Sequence, residues 1–251
     1  KFGVDMDKIT NSLLDTFSEQ FEIKNMDAHT QFEHFSNYSI CSKLNRTSFE
    51  LSDIHTGSGG DCAIDGLCLI ANGKIITDTS ELTEISISSG YLDADIVFIQ
   101  SKTTSSFSGS DIGSFIHGVK DFLSDESKLV QNAKIQDIKE IWNELIRLSP
   151  SMVNRRPNCK LFYVCTGKWV QDKNLQSVVD SGLSELEATG LFDEVTITPY
   201  GAAEIQRLYN ETKNKLSTTI TFQNRITLPD IEGVKQAHLG VIPFGEFVKL
   251  K

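Results

Sequence analysis

The chain has 251 residues, with 24 Lys or Arg against 34 Asp or Glu, so its formal net charge is −10 at pH 7. Hydrophobic residues make up 39% and charged residues 23%, an ordinary globular composition that argues against disordered, collagen-like and coiled-coil proteins. No apolar run approaches the ~18 residues needed to cross a bilayer, so we expect no membrane association. The five cysteines form no CxxC pair and fit a reduced compartment, so we expect a cytoplasmic protein.

Hydrophobic periodicity predicts helices and strands that alternate along most of the chain. The predicted helices span residues 5–21, 27–44, 111–123, 135–148, 175–187 and 202–216. The predicted strands span residues 64–71, 74–77, 95–100, 160–165 and 194–198, with extra strands around 218–222 and near Gly240 and Phe244. The expected N-caps are Asp27 and Ser110, Asn72-Gly73 indicates a hairpin, and residues 78–92 are expected to be a polar excursion.

This alternation favours an α/β fold with a mixed central sheet flanked by helices. We expect residues 1–150 to hold a helical lead-in and the functional core. Residues 151–251 are expected to add α/β units, either to the same sheet or as a small second lobe. The polar first residues lack an initiator Met and the last residues still resemble structured chain, so we expect a fragment of a longer protein.

Residues suited to phosphodiester hydrolysis stand at the ends of two predicted strands. Asp65 follows a glycine-rich turn at the start of one strand. Gln100 and Lys102 stand two residues apart at the end of another, so their side chains share a face. If the strands pair, a carboxylate and an amide oxygen meet as ligands for Mg²⁺ (or Mn²⁺), which activates a bound water. Lys102 would orient that water or neutralise charge on the phosphate.

The pattern Asp61-x-x-Ile64-Asp65-Gly66, followed by Gln100-x-Lys102, resembles the PD-(D/E)xK nuclease superfamily. It is most similar to the Mrr-like branch, in which Gln replaces the usual Glu. More narrowly, residues 32–123 resemble the amino-terminal region of AIPR proteins, the abortive-phage-infection family. The resemblance implies a restriction-endonuclease-like core and metal-dependent cleavage of DNA in bacterial defence against phage.

The resemblance also implies further site residues. The family places a Glu on a helix before the glycine-rich turn, and Glu33 fits that position as a metal ligand or as the holder of a metal-bound water. Asp61 and Gly66 belong to the turn, where Asp61 either caps the backbone or supports the metal site. The commonest family turn has two glycines where this chain has Cys62 and Ala63, which changes how the turn approaches substrate.

Each of these residues also has an ordinary structural alternative. Asp65 alone would suit a turn cap, Lys102 a solvated strand end, and Glu33 an exposed helix charge. The five histidines show no HxH or HExxH spacing, so none is expected to bind zinc, although His34 and His55 lie near the candidate site in sequence.

Hydroxyls and amides beside Lys102, and a basic stretch between residues 147 and 160, are weaker candidates for contacts with nucleic acid. The residues concerned are Ser101, Thr103, Thr104, Arg155 and Arg156. A solvated loop and a charge-balancing loop are the structural alternatives.

We therefore expect a metal-dependent endonuclease that acts on DNA, with RNA as a second candidate substrate. A homodimer is a further expectation, because nucleases that cut both strands often dimerise. The alternative is a catalytically inactive nuclease-like scaffold that binds nucleic acid or a partner protein. The acidic net charge and the altered turn favour this alternative.

Overall fold

A computed structural model describes residues 6–57, 59–170, 172–213, 221–228 and 238–247. The chain divides into two compact units, Lys1–Thr212 and Lys213–Lys251. The boundary expected near residue 150 therefore falls inside the first unit. No helix within the described ranges has the length and hydropathy to cross a bilayer.

The first unit contains the following helices: α1 (Lys8–Gln20), α2 (Ala28–Leu44), α3 (Thr79–Ser89), α4 (Gly109–Leu123), α5 (Ala133–Arg147), α6 (Lys173–Glu187) and α7 (Ala202–Lys213). Short 3₁₀ turns lie at Leu51–Asp53 and Ser149–Ser151. Its strands are β1 (Gly66–Ala71), β2 (Lys74–Ile76), β3 (Ala94–Lys102), β4 (Asn158–Cys165) and β5 (Val195–Tyr200).

These strands form one five-stranded mixed sheet in the order β2-β1-β3-β4-β5. β1 is antiparallel to both β2 and β3, whereas β3, β4 and β5 run parallel. Parallel neighbours require a crossover, and α4 with α5 and then α6 provide these connections. The expected α/β class with a mixed sheet and flanking helices is confirmed, and the strands after residue 150 join the same sheet.

Two hydrophobic cores sandwich the sheet. One lies under α4, α5 and α6 and includes Leu67, Leu69 and Phe98. The other lies under α1, α2 and α7 and includes Cys68 and Ile70, which alternate with the first set along β1. Both faces of the central strands are covered, which explains why their sequences read as continuous apolar runs rather than as alternating patterns.

The hairpin and one predicted N-cap have the expected chemistry. Asn72 and Gly73 have φ of 51° and 80°, as a two-residue turn between β1 and β2 requires. The Asp27 side chain accepts a hydrogen bond from the His29 backbone N–H at 2.9 Å, so this N-cap is confirmed. The α4 N-cap is Ser108 rather than Ser110, because the backbone of Ser108 is still extended and the helix begins at Gly109.

The excursion predicted for residues 78–92 is wrong over most of its length. Asp78 caps α3 through the Ser80 backbone N–H, and Gly90 ends the helix with a φ of 74°. Leu82 is the residue of α3 that is fully buried, so a helix lying on the surface left little apolar periodicity in the sequence.

The second unit contains β6 (Asn224–Thr227), which pairs antiparallel with β7 (His238–Val241), and the short helix α8 (Phe244–Phe247). The strand predicted near Gly240 is confirmed, whereas Phe244 begins α8 instead of belonging to a strand. Of the strand predicted at 218–222, residues 218–220 lie outside the described residues, and Thr221 and Phe222 precede β6 without strand structure.

Phe98 should be among the most sensitive positions of the core. Its side chain is 0% exposed and its ring meets the Phe122 ring edge-on with centroids 5.5 Å apart. We expect Phe98→Ala to lower the free energy of unfolding by ~3–5 kcal/mol, measured by urea titration, because the cavity cannot collapse. Ile87→Ala is the control, since Ile87 is 78% exposed. Equal losses in the two variants would contradict this assignment of the core.

Candidate functional site

Pairing of β1 with β3 brings the predicted carboxylate and amide together. The Asp65 backbone N–H donates to the Ile99 carbonyl at 2.9 Å, which places Asp65 beside the end of β3. The Asp65 carboxylate, whose residue is 7% exposed, accepts hydrogen bonds at Oδ2 from Gln100 Nε2 at 2.6 Å and the Ser101 backbone N–H at 2.7 Å. The convergence of Asp65 and Gln100 expected from the strand ends is therefore present.

Gln100 meets Asp65 through its nitrogen rather than its oxygen. The side chain is buried, and Oε1 has no hydrogen-bond partner among the described residues. Buried amide oxygens are normally paired, so this unpaired oxygen is an exception, and a role as an oxygen ligand is one explanation for it. The oxygen-ligand role expected for Gln100 would use Oε1, which accepts no hydrogen bond from the described residues.

The electrostatic surroundings of Asp65 are unusual. Burial raises the pKa of Asp65 to about 7, and the negative charge of Glu33 adds to that increase. The hydrogen bond from Ser101 and the positive charge of Lys102 lower the pKa in part. These effects require Glu33 and Lys102 to lie within electrostatic range of the same carboxyl group. Lys102 forms no ion pair with any residue that the structure describes, so its ammonium remains available.

Glu33 lies on α2, in the helical layer that α2 forms with α1 and α7. Its Oε2 lies 2.8 Å from His55 Nε2, and the two side chains are 23% and 14% exposed respectively. The His34 ring lies beside the His55 ring, with centroids 4.2 Å apart. Burial lowers the pKa of His34 to about 4, so His34 stays neutral near pH 7.

The turn before β1 is held in a conformation that suits glycine. Cys62 and Ala63 have φ of 56° and 58°, in the left-handed region that costs a residue with a Cβ ~1–2 kcal/mol. Asp61 caps this turn, since its Oδ1 accepts the Ala63 backbone N–H at 2.9 Å. The turn also packs closely on α4, where a Cβ at Gly118 would lie 1.8 Å from the Cys62 carbonyl oxygen. The Cys62-Ala63 pair thus keeps the turn shape despite its side chains.

The missing side chain of Gly66 leaves room for Asn37, a residue that the sequence analysis does not single out. A Cβ at Gly66 would lie 2.2 Å from Asn37 Oδ1, and Asn37 Nδ2 donates to the Asp65 carbonyl at 3.1 Å. Asn37 therefore fixes the backbone that carries Asp65. A glycine that opens a fully buried strand is the signal that could have indicated such a close approach.

The predicted hydroxyls on either side of Lys102 are mostly unavailable to a ligand. Ser101 is buried on the face opposite Gln100, and Thr103 Oγ1 lies 2.7 Å from His29 Nδ1. Thr104 alone of the three predicted residues is exposed. The expectation that this run contacts phosphates therefore reduces to Thr104 and to backbone amides.

Arg155 and Arg156 are exposed, but they lie at the end of the sheet opposite Lys102. They precede β4, whose first residue pairs with Asp95, whereas Lys102 pairs with Cys165 at the other end. At about 3.3 Å per residue, the two ends are about 20 Å apart. Lys160 in the same stretch is paired with Asp95 at 2.6 Å. The structure therefore does not bring this basic segment to the site.

The residues at the same end of the sheet as Lys102 are those that follow β4. Thr166 donates to the Thr104 carbonyl through its backbone N–H at 3.0 Å and its hydroxyl at 2.8 Å, which ties the two loops together. Lys168 is exposed beside them, and the Trp169 ring lies 4.8 Å from that of Phe107. Parallel strands end at a common edge, and this rule applied to β3 and β4 would have indicated Lys168 and Trp169.

The side chains here that could hold a hard divalent cation are oxygen donors. Within the described ranges, no group of three or more His, Cys, Asp or Glu residues is arranged to hold a metal. The set here is two carboxylates, Asp65 and Glu33, with the orphan oxygen of Gln100. Mg²⁺ usually binds through one or two carboxylates and keeps several waters, so oxygen donors of this kind match the ligand chemistry of Mg²⁺ or Mn²⁺.

Comparisons with known proteins add no assignment. No protein-family model, no curated protein and no solved structure matches the chain.

Substitution at Gly66 should test its contact with Asn37. We expect Gly66→Ala to lower the free energy of unfolding by ~1–3 kcal/mol in urea titrations, because the buried amide cannot move away. The loss should be smaller in an Asn37→Ala background. Gly113→Ala, in α4 with open space around it, should instead stabilise by ~0.5–1 kcal/mol. Additive losses at positions 37 and 66 would contradict the contact.

The raised pKa of Asp65 predicts a pH-dependent difference between the wild type and Asp65→Asn. The pKa rises from 3.8 to about 7 on folding, so the native state binds more protons and loses stability as pH increases across that range. At pH 8 in EDTA we expect Asp65→Asn to be more stable by a few kcal/mol, at ~1.4 kcal/mol per pKa unit.

Near pH 4 the wild-type carboxyl is neutral and the difference should vanish. The lowered pKa of His34 gives an opposite slope, but it is common to both proteins and cancels in the comparison. Urea unfolding at several pH values measures the difference. A constant difference across the pH range would contradict the assignment.

Proposed function

We propose that the protein is a metal-dependent nuclease that hydrolyses phosphodiester bonds in DNA. The observation that carries the proposal is the buried Asp65 carboxylate, bonded to Gln100 and within electrostatic range of Lys102 and Glu33. An acid this buried, with both an acidic and a basic neighbour, is typical of a functional site rather than of a turn cap.

Asp65, Glu33 and Oε1 of Gln100 would hold the Mg²⁺ or Mn²⁺. A bound divalent cation supplies an activated water and neutralises charge on the phosphate. Burial raises the pKa of Asp65 to about 7, and the Ser101 hydrogen bond and the Lys102 charge offset that increase only in part. A cation beside it favours the charged carboxylate, so binding should release a proton from Asp65.

Lys102 lies on the same strand face as Gln100 and supplies the positive charge of the protein itself. In the hydrolysis, the oxygen of a water bonds to phosphorus while the bond from phosphorus to one ester oxygen breaks. The water loses a proton and the departing oxygen gains one. The Lys102 ammonium would neutralise charge that builds on the phosphate oxygens in the transition state.

DNA as the substrate, and a role in defence against phage, come from the resemblance of residues 32–123 to AIPR proteins. RNA is the second candidate substrate, since the residues around Asp65 recognise a phosphodiester rather than a sugar. The rival proposal is an inactive nuclease-like scaffold. Two observations favour the rival. The Gln100 amide nitrogen already donates a hydrogen bond to Asp65 Oδ2, and Cys62 and Ala63 adopt left-handed backbone conformations.

Plasmid cleavage distinguishes the two proposals. With Mg²⁺ or Mn²⁺ we expect the wild type to cut DNA, and Asp65→Ala and Lys102→Ala to lose about 100-fold or more of the rate, the usual effect of removing one electrostatic group. Lys43→Ala is the control, since Lys43 is exposed at the end of α2.

A scaffold predicts a different set of results. The wild type would not cut, calorimetry would detect no binding of Mg²⁺ or Mn²⁺, and any nucleic-acid binding would tolerate Asp65→Ala. Metal binding that disappears in Asp65→Ala, even with a plasmid that is not cut, would favour the metal centre over the scaffold.

A further inference from the structure

A short segment before the glycine-rich connector pairs with the start of β1. Leu67 donates its backbone N–H to the Ile54 carbonyl at 2.9 Å, and Thr56 donates to the Asp65 carbonyl at 3.2 Å. His55 and Gly66 form the antiparallel bridge between these bonds. The backbone of His55 is therefore fixed directly to the residues that carry the Asp65 carboxylate.

The side chain of His55 extends from this bridge to Glu33. His55 Nε2 lies 2.8 Å from Glu33 Oε2, and both side chains are largely shielded from solvent. The neighbouring His34 ring, 4.2 Å away, limits where the His55 ring can turn. Glu33 thus has one carboxylate oxygen held by His55, which leaves Oε1 for another partner.

We propose that His55 is a positioning residue that holds the Glu33 carboxylate toward the Asp65 site. This inference rests on the proposed metal centre and adds a residue to it. An unrestrained glutamate loses up to ~2 kcal/mol of side-chain entropy when it is fixed, and a hydrogen bond in the free protein removes part of that cost before a ligand binds. Metal-binding carboxylates are commonly hydrogen-bonded for this reason.

To position Glu33, His55 needs only an N–H donor at Nε2, and the ring does not have to change its charge. A neutral imidazole with its proton on Nε2 and a charged imidazolium both donate to the carboxylate. Gln at position 55 also offers an N–H donor on a side chain of similar reach, whereas Ala offers none. The pair of variants therefore separates the hydrogen bond from the presence of a ring.

Calorimetry with Mn²⁺ alone tests the inference without any requirement for activity. We expect His55→Ala to weaken Mn²⁺ binding about 10-fold or more, within the range for losing a group that supports a metal ligand. His55→Gln should restore binding to within about threefold of the wild type by keeping the donor. His117→Ala is the matched control, an exposed histidine on α4.

A double-mutant cycle separates positioning from general stability. Once Glu33→Gln has removed the carboxylate, adding His55→Ala should not weaken Mn²⁺ binding further, because the two residues act through one ligand. Thermal unfolding in EDTA identifies any variant that is not folded. If His55→Ala fails to fold, His55→Phe replaces it, because Phe keeps a ring but offers no donor to Glu33.

The outcomes separate the inference from the proposed function. If the wild type binds Mn²⁺ and His55→Ala binds equally well, the positioning role is wrong and the metal centre stands. The same holds if His55→Gln binds as weakly as His55→Ala, or if His55→Ala costs as much affinity in the Glu33→Gln background as in the wild type. If the wild type binds no Mn²⁺ at all, the metal centre and the inference both fail.

Discussion

The arrangement of the site depends on a buried carboxylate bonded to an adjacent strand. Asp65 enters the interior because β1 pairs with β3, and its Oδ2 accepts the Ser101 backbone N–H and the Gln100 amide there. The cost of burying the acid is visible in its pKa of about 7. Helix, turn and strand residues around it either hold its backbone in place or alter its charge state.

Supporting residues come from both sides of the sheet. Asn37 of α2 bonds the Asp65 carbonyl from one layer, and Gly118 of α4 admits the Cys62 turn from the other. Both contacts require close approach, and both are possible because a glycine replaces a side chain. Contacts from α2 and from α4 thereby hold the backbone around one acidic residue.

Much of this could be predicted from the sequence, because strand ends and turn chemistry are local. The period-two spacing of Gln100 and Lys102 and the glycine-rich turn before Asp65 were sufficient to bring these side chains to one end of the sheet. Local patterns could not give Asn37 or the His55–Glu33 pair, which depend on how α2 packs. Arg155 was misplaced for a different reason: it precedes β4, and β4 runs parallel to β3, so it lies at the strand end opposite Lys102. The surface helix α3 escaped prediction because Leu82 alone is fully buried.

The two acids of the site belong to different layers of the molecule. Asp65 directly precedes β1 of the sheet, whereas Glu33 lies on α2. A shift of α2 along the sheet would change the separation of the two carboxylates and would also strain the hydrogen bond from Asn37 to the Asp65 carbonyl. Any ligand that binds both the Asp65 and the Glu33 carboxylates therefore links α2 to the sheet. Its binding energy opposes local opening of α2 and couples occupancy of the site to the rigidity of an entire layer.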